Sequence, residues 1–188
     1  MSDQVYISAD QLLKDSIELG LKVMESGFAP SLVVGVWRGG SPVAIAVHEL
    51  LEYCGRPAVP VVIRAASYTG VDERGAEVEV NGLETLLEVA PRHERVLLVD
   101  DVWDTGHSFA SILDALRSGL GPRLPRDIRT AAPYFKPGKS QVPGAPDYCV
   151  HHNDAWLVFP HEMCGLPDEV VAAKPGYAEY INRINILK

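Results

Sequence analysis

A chain of 188 residues, 47% hydrophobic and 22% charged, is long enough to close one core and too apolar to be disordered. Its 25 acidic and 17 basic residues leave a net charge of −8, which argues against general affinity for nucleic acid or an anionic membrane. The three cysteines show no C-x-x-C spacing, MSDQVYISAD has no basic-then-apolar leader, and no apolar run reaches the ~18–20 residues of a membrane span, so one cytoplasmic domain over 1–188 is expected.

Ser8 is placed to cap a helix whose apolar residues Leu13, Ile17, Leu21 and Met24 recur at helical spacing, with Gly27 as its stop. SLVVGVW (31–37) reads as a short buried strand, RGGS as a turn, and Pro42 as the opening of a helix through Tyr53 that Gly55 ends. AVPVVIRA (58–65) is a second buried strand. The polar, glycine-containing segment from Ser67 to Asn81 is too long for an ordinary connection and reads as a mobile flap.

RVLLVDD (95–101) is the clearest strand. A helix follows from His107 to Arg117 with Phe109, Ile112, Leu113 and Leu116 inward. DIRTAAPYF (127–135) is a fourth strand, KPGKSQVPGAPD a loop, YCVH and AWLVF two short strands, and GYAEYINRI a closing helix. Continuous aliphatic strands alternating with helices predict an α/β fold: a central parallel sheet covered by helices on both faces, with a small C-terminal subdomain.

In open sheets of this kind ligands gather at the carboxyl ends of the strands. WRGGS, SYTG and DDVWDTGHS all fall there. In DTGHS (104–108) the backbone N–H groups before a helix can cradle an anion, Thr105 and Ser108 add hydroxyls, and Gly106 lets the backbone approach closely. A phosphate monoester is the natural guest. Asp100 and Asp101 can accept hydrogen bonds from vicinal hydroxyls such as those of a ribose, and Asp104 can exchange a proton with a base held above the sugar. A capped helix start or a solvated acidic turn would explain either half alone, but not both together.

The stretch VLLVDDVWDTGHS (96–108) resembles the phosphoribosylpyrophosphate-binding signature of type I phosphoribosyltransferases. By that resemblance Asp104, Thr105, Gly106, His107 and Ser108 bind the 5-phosphate, Asp100 and Asp101 the ribose and Mg2+, and Asp104 is catalytic. VVGVWRGGSPVA is similar to the family's pyrophosphate loop. That similarity assigns Arg38, Gly39 and Gly40 to the leaving group and makes Trp37–Arg38 a candidate cis peptide. Ser67 and Tyr68 in SYTG resemble the start of the flexible loop that closes over the substrates.

The segment 134–163 is similar to the hood of 6-oxopurine phosphoribosyltransferases, in the xanthine and hypoxanthine/guanine branch. The resemblance implies a core over about 28–135 and a hood over 136–188, to which the N-terminus can add. It implies that Lys136 binds the purine 6-oxygen, Trp156 stacks on the base and Leu157 offers backbone groups to its edge. Glu162 falls at an acidic position near a second magnesium, more naturally through water than by direct ligation.

His151, His152 and His161 do not make a zinc site, since adjacent histidines on a strand face opposite ways and no cysteine pattern completes a tetrahedron. The expected reaction joins a 6-oxopurine to phosphoribosylpyrophosphate with Mg2+. The partners are therefore small molecules, with neither nucleic acid nor membrane, in a homodimer by analogy with the family. The alternatives are a transferase for another base, or a regulator that keeps the fold and senses phosphoribosylpyrophosphate.

Overall fold

The computed structural model describes residues 4–67 and 78–187. In chain order its elements are β1 (Gln4–Tyr6), α1 (Ala9–Glu25), β2 (Leu32–Trp37), α2 (Gly40–Tyr53), β3 (Val59–Ser67), β4 (Val78–Asn81) and α3 (Leu83–Val89). They continue with β5 (Arg95–Val99), β6 (Val102–Trp103), α4 (His107–Leu120), β7 (Asp127–Phe135), β8 (Tyr148–His152), β9 (Trp156–Val158), α5 (Asp168–Ala172) and α6 (Ile181–Leu187).

The large sheet runs β4-β3-β2-β5-β7-β6, with β8 also on β7, and every pairing is parallel except β3 with β4. β5 and β6 share one register on β7. Val99 lies opposite Ala131 and Val102 opposite Tyr134, so the strand is interrupted only at Asp100 and Asp101. β1 and β9 form a separate two-stranded parallel sheet that brings Gln4 opposite Trp156.

Side chains alternate across the pleat, so consecutive aliphatics in β2 and β5 feed two cores. Val33, Leu97 and Val99 join Leu19, Val23, Val43, Val47 and Leu51 of α1 and α2 on one face. Leu32, Val34, Val36, Val96 and Leu98 join Leu86 of α3 and Phe109, Ile112, Leu116 and Leu120 of α4 on the other. Each such fully buried side chain contributes about 1.5–3 kcal/mol, which clamps the strand ends in place beneath the site.

The expected helix forms with Ser8 as its cap, but the residues at the spacing of Leu13, Ile17, Leu21 and Met24 do not mark its buried face: Leu12, Asp15, Ser16, Leu19, Gly20 and Val23 are buried, and Leu13 is 55% exposed. Two polar residues hide that stripe in the sequence. Asp15 is buried because Tyr134, Gln11 and His151 all bond its carboxylate, and the Ser16 hydroxyl donates back to the Leu12 carbonyl.

The 67–81 segment is not wholly a flap. Ser67 ends β3, and 78–81 form β4 antiparallel to it, the alternation in Val-Glu-Val-Asn being that of an edge strand; Tyr68 and the rest of the expected flap lie outside the described residues. The closing helix begins at Ile181 rather than Gly176.

Candidate active site

The site is built where β5 stops. Asp100 N–H still reaches the Ala131 carbonyl, Asp101 is buried, and both line a cavity of about 320 Å³ together with Val36, Trp37, Arg38, Gly39, Arg64, Ser108, His161 and Glu162. The cavity therefore gathers the ends of β2, β3 and β5, the first turn of α4 and the turn after β9. Its wall is mixed in sign, with two guanidinium side chains facing three carboxylate residues.

The acidic pair explains the glycines. A Cβ at Gly39 would lie 2.2 Å from Asp101 Oδ2, and one at Gly40 would lie 2.4 Å from the Val99 carbonyl oxygen and 2.7 Å from Asp100 Cα. At Gly40 the main chain of β5 leaves no room for a side chain, and at Gly39 a side chain would have to displace the Asp101 carboxylate. The Trp37–Arg38 peptide that leads into this loop is cis, as the resemblance implied.

Burial and the neighbouring Asp101 carboxylate push the Asp100 carboxyl well above the ordinary range, while N–H groups of Asp101 and Gly40 work the other way. The Asp101 N–H donates to Asp100 Oδ1 at 2.9 Å. On its far side Asp101 Oδ2 meets His161 Nε2 at 3.1 Å, and that imidazole stacks on Phe159.

The DTGHS turn lies between β6 and α4. Gly106 has φ 84°, a conformation few other residues adopt, and a Cβ there would strike Val142 and the Trp103 indole. The turn is braced from behind: Gln141 N–H donates to the Thr105 carbonyl, Trp103 Nε1 to Ser140 Oγ, and His107 Nε2 meets Gln141 Oε1. His107 thus turns its ring to the neighbouring loop. The N–H groups of the first turn of α4 have no carbonyl four residues back within the helix, which makes them donors for an anion.

Asp104 and Lys136 pair. Lys136 is buried at the end of β7, its N–H bonds the Trp103 carbonyl, and its Nζ donates to Asp104 Oδ2 at 2.7 Å. Trp156 is 37% exposed at the start of β9, Leu157 is buried beside it, and Asn153 N–H, in the turn between β8 and β9, bonds the Phe135 carbonyl at the Lys136 end of β7. Glu162 reaches the cavity, and its Oε2 accepts the Phe159 N–H at 3.1 Å.

The structure thus brings Arg38, Gly39, Asp100, Asp101, Ser108 and Glu162 to one cavity, and pairs Lys136 with Asp104. Gly40 packs beneath the acids rather than lining the space. Sequence reasoning assigned no role to His161 or to Arg64. Arg64 could be anticipated from its place near the end of a strand parallel to β2; nothing local marks His161, whose partner lies 60 residues away.

Among the described residues no three of His, Cys, Asp and Glu converge as a metal site, and no helix is long and apolar enough to cross a membrane.

Comparison with known proteins identifies the domain family and the fold. The phosphoribosyl transferase domain model matches residues 7–164. The bifunctional protein PyrR of Roseiflexus sp. (strain RS-1) is 29% identical over 120 residues, 62% of this chain, and the chain spans 64% of that protein's length. A purine phosphoribosyltransferase structure from Pyrococcus horikoshii is 26% identical with a TM-score of 0.64, covering 87% of this chain and 97% of that one.

A hypothetical protein from Neisseria gonorrhoeae, solved with bound ppGpp, shares the fold at 18% identity and a TM-score of 0.71, covering 100% of this chain and 98% of its own. With the domain model matched over residues 7–164, and an acidic pair and a glycine loop at the ends of a parallel sheet, the chain belongs to the phosphoribosyl transferase domain family.

Proposed function

We propose that this protein transfers the 5-phosphoribosyl group of phosphoribosylpyrophosphate to a 6-oxopurine, giving the nucleoside monophosphate and pyrophosphate. The observation that carries the choice of base is the Lys136–Asp104 pair at 2.7 Å. An ammonium donor beside a carboxylate acceptor complements an edge that offers a carbonyl oxygen next to a ring N–H, as the 6-oxygen and N7 of the free base do. An amino group at position 6 would set a donor against Lys136. The Pyrococcus relative, a purine phosphoribosyltransferase, is consistent with this reading.

In this mechanism the first turn of α4, with Thr105 and Ser108, holds the 5-phosphate and fixes the sugar. Asp100 and Asp101 accept hydrogen bonds from the ribose hydroxyls, and their field favours positive charge developing at the anomeric carbon. Arg38 and the backbone at Gly39 meet the departing pyrophosphate. Asp104 takes the N7 proton as the base attacks, while Lys136 holds the 6-oxygen. Trp156 offers an indole face for the ring and Leu157 its backbone groups.

The donor set suits Mg2+, which binds through one or two carboxylates and completes its shell with water and ligand phosphates. Asp100 and Asp101 would hold it, with Glu162 reaching it through water. When bound it would neutralise charge on the leaving pyrophosphate.

The PyrR match favours a second reading, in which the same site serves another base or a regulator that senses the donor. Initial rates with hypoxanthine, guanine, xanthine, adenine and uracil, each with phosphoribosylpyrophosphate and Mg2+, separate the two. Turnover confined to the 6-oxopurines supports the proposal; turnover of uracil alone, or donor binding without transfer to any base, replaces it with the second reading.

A further inference from the structure

The matched family domain ends at residue 164, yet the turn that completes the cavity wall is held from beyond that point. Lys174, in the turn after α5, is only 3% exposed, and its Nζ donates to the Pro160 carbonyl at 3.0 Å and also to the Glu162 carbonyl. The Tyr177 hydroxyl donates to the same Pro160 carbonyl at 2.7 Å, and its ring lies 4.6 Å from the Lys174 ammonium.

A buried ammonium is costly unless its donors are satisfied and a counter-charge is near. Here two main-chain carbonyls take the hydrogen bonds and Glu162 supplies the negative field. Lys174 is therefore held by specific partners and not by apolar packing alone. Its three contacts converge on residues 160–162, whose middle member, His161, faces Asp101.

We propose that the segment from Lys174 to Tyr177 is a working part of the site: Lys174 is a positioning residue that, with Tyr177, grips the Pro160–Glu162 turn and so keeps His161 against Asp101 and Glu162 at the cavity. The effect on catalysis rests on the transferase reading above; the grip itself does not. The Asp101 carboxylate lies against the glycine loop and meets His161 through Oδ2. Loosening the turn frees the carboxylate that must face the ribose diol.

The test is a double-mutant cycle on the full chain. His161→Phe keeps a ring to stack on Phe159 and removes the bond to Asp101. Lys174→Met keeps the length of the buried stem and removes the charge. Loss of such supporting contacts costs about 10–100-fold in affinity or activity. Each single variant is expected to raise KM for phosphoribosylpyrophosphate roughly tenfold in that range, and the double variant no further, because both act through Asp101.

Multiplied effects in the double variant would overturn the proposal, since a residue that merely supports the fold acts independently of His161. If Lys174→Met does not fold, Tyr177→Phe with His161→Phe carries the same cycle with a smaller first step. A second readout needs no turnover. The NMR resonances of the His161 ring should shift and broaden in Lys174→Met and Tyr177→Phe, and unchanged resonances overturn the proposal even in a protein that transfers to no base. A wild-type chain without transfer, whose His161 resonances do respond, counts against the transferase reading alone.

Discussion

Asp100→Asn separates what the site does for function from what it costs the fold. The substitution changes almost no volume, and the amide oxygen can still accept the Asp101 N–H that Asp100 Oδ1 accepts now. What disappears is a negative charge that burial and Asp101 both resist. The sign follows from proton binding. The folded pKa of Asp100 lies above that of the unfolded chain, so below the unfolded value of about 3.9 both states are protonated and the charge costs nothing.

As pH rises past that value the unfolded chain releases its proton while the fold retains it, and stability falls until the folded group ionises as well. The asparagine variant escapes this loss. Removing an unfavourable charge at a functional site stabilises by about 0.5–2 kcal/mol. In a chain of this size each kcal/mol moves Tm by about 2–4 °C. Thermal unfolding without ligand or metal should therefore show the variant melting a few degrees above wild type at pH 8, with the gap closing towards pH 4. A variant that is less stable at pH 8, or whose advantage is constant with pH, would refute the reasoning. The same variant should bind the donor and Mg2+ more weakly.

Gly40→Ala tests the contact that shapes the cavity: its Cβ meets main-chain atoms of β5 at 2.4 and 2.7 Å, so the loop must retreat by the better part of an ångström. A displacement of about that size costs on the order of 100-fold in rate, read as kcat/KM with the donor varied, and wild-type kinetics would show that the loop does not touch the reaction. Asp104→Asn keeps an acceptor for Lys136 but no basic carboxylate. Turnover should fall about 10²–10⁴-fold with little change in donor binding by calorimetry, and near-wild-type turnover would remove Asp104 from the mechanism.

How far the sequence alone could go is clear from particular residues. Aliphatic runs such as Val96–Val99 are buried on both faces, so their strands are evident without any partner in view. Asp100 and Asp101 stand out because carboxylates rarely end such a run. The register of β6 on β7, the pairing of β1 with β9 and the bonds of Asp15 to Tyr134 and His151 are contacts between distant parts of the chain that no local pattern encodes. Asp15 misleads actively, since a charged residue on an apolar stripe points to the wrong face of α1. His161 carries no local signal for its role, which only its contact with Asp101 across the fold supplies.

The proposed reaction requires the cavity at the end of β5 to receive the phosphoribosyl donor. A crystal structure with phosphoribosylpyrophosphate and Mg2+ tests that most directly. It should show the 5-phosphate on the amides of 105–108, the ribose diol on Asp100 and Asp101, and the diphosphate beside Arg38 and Gly39. Donor density elsewhere, or a filled cavity whose ribose makes no contact with either aspartate, would contradict it.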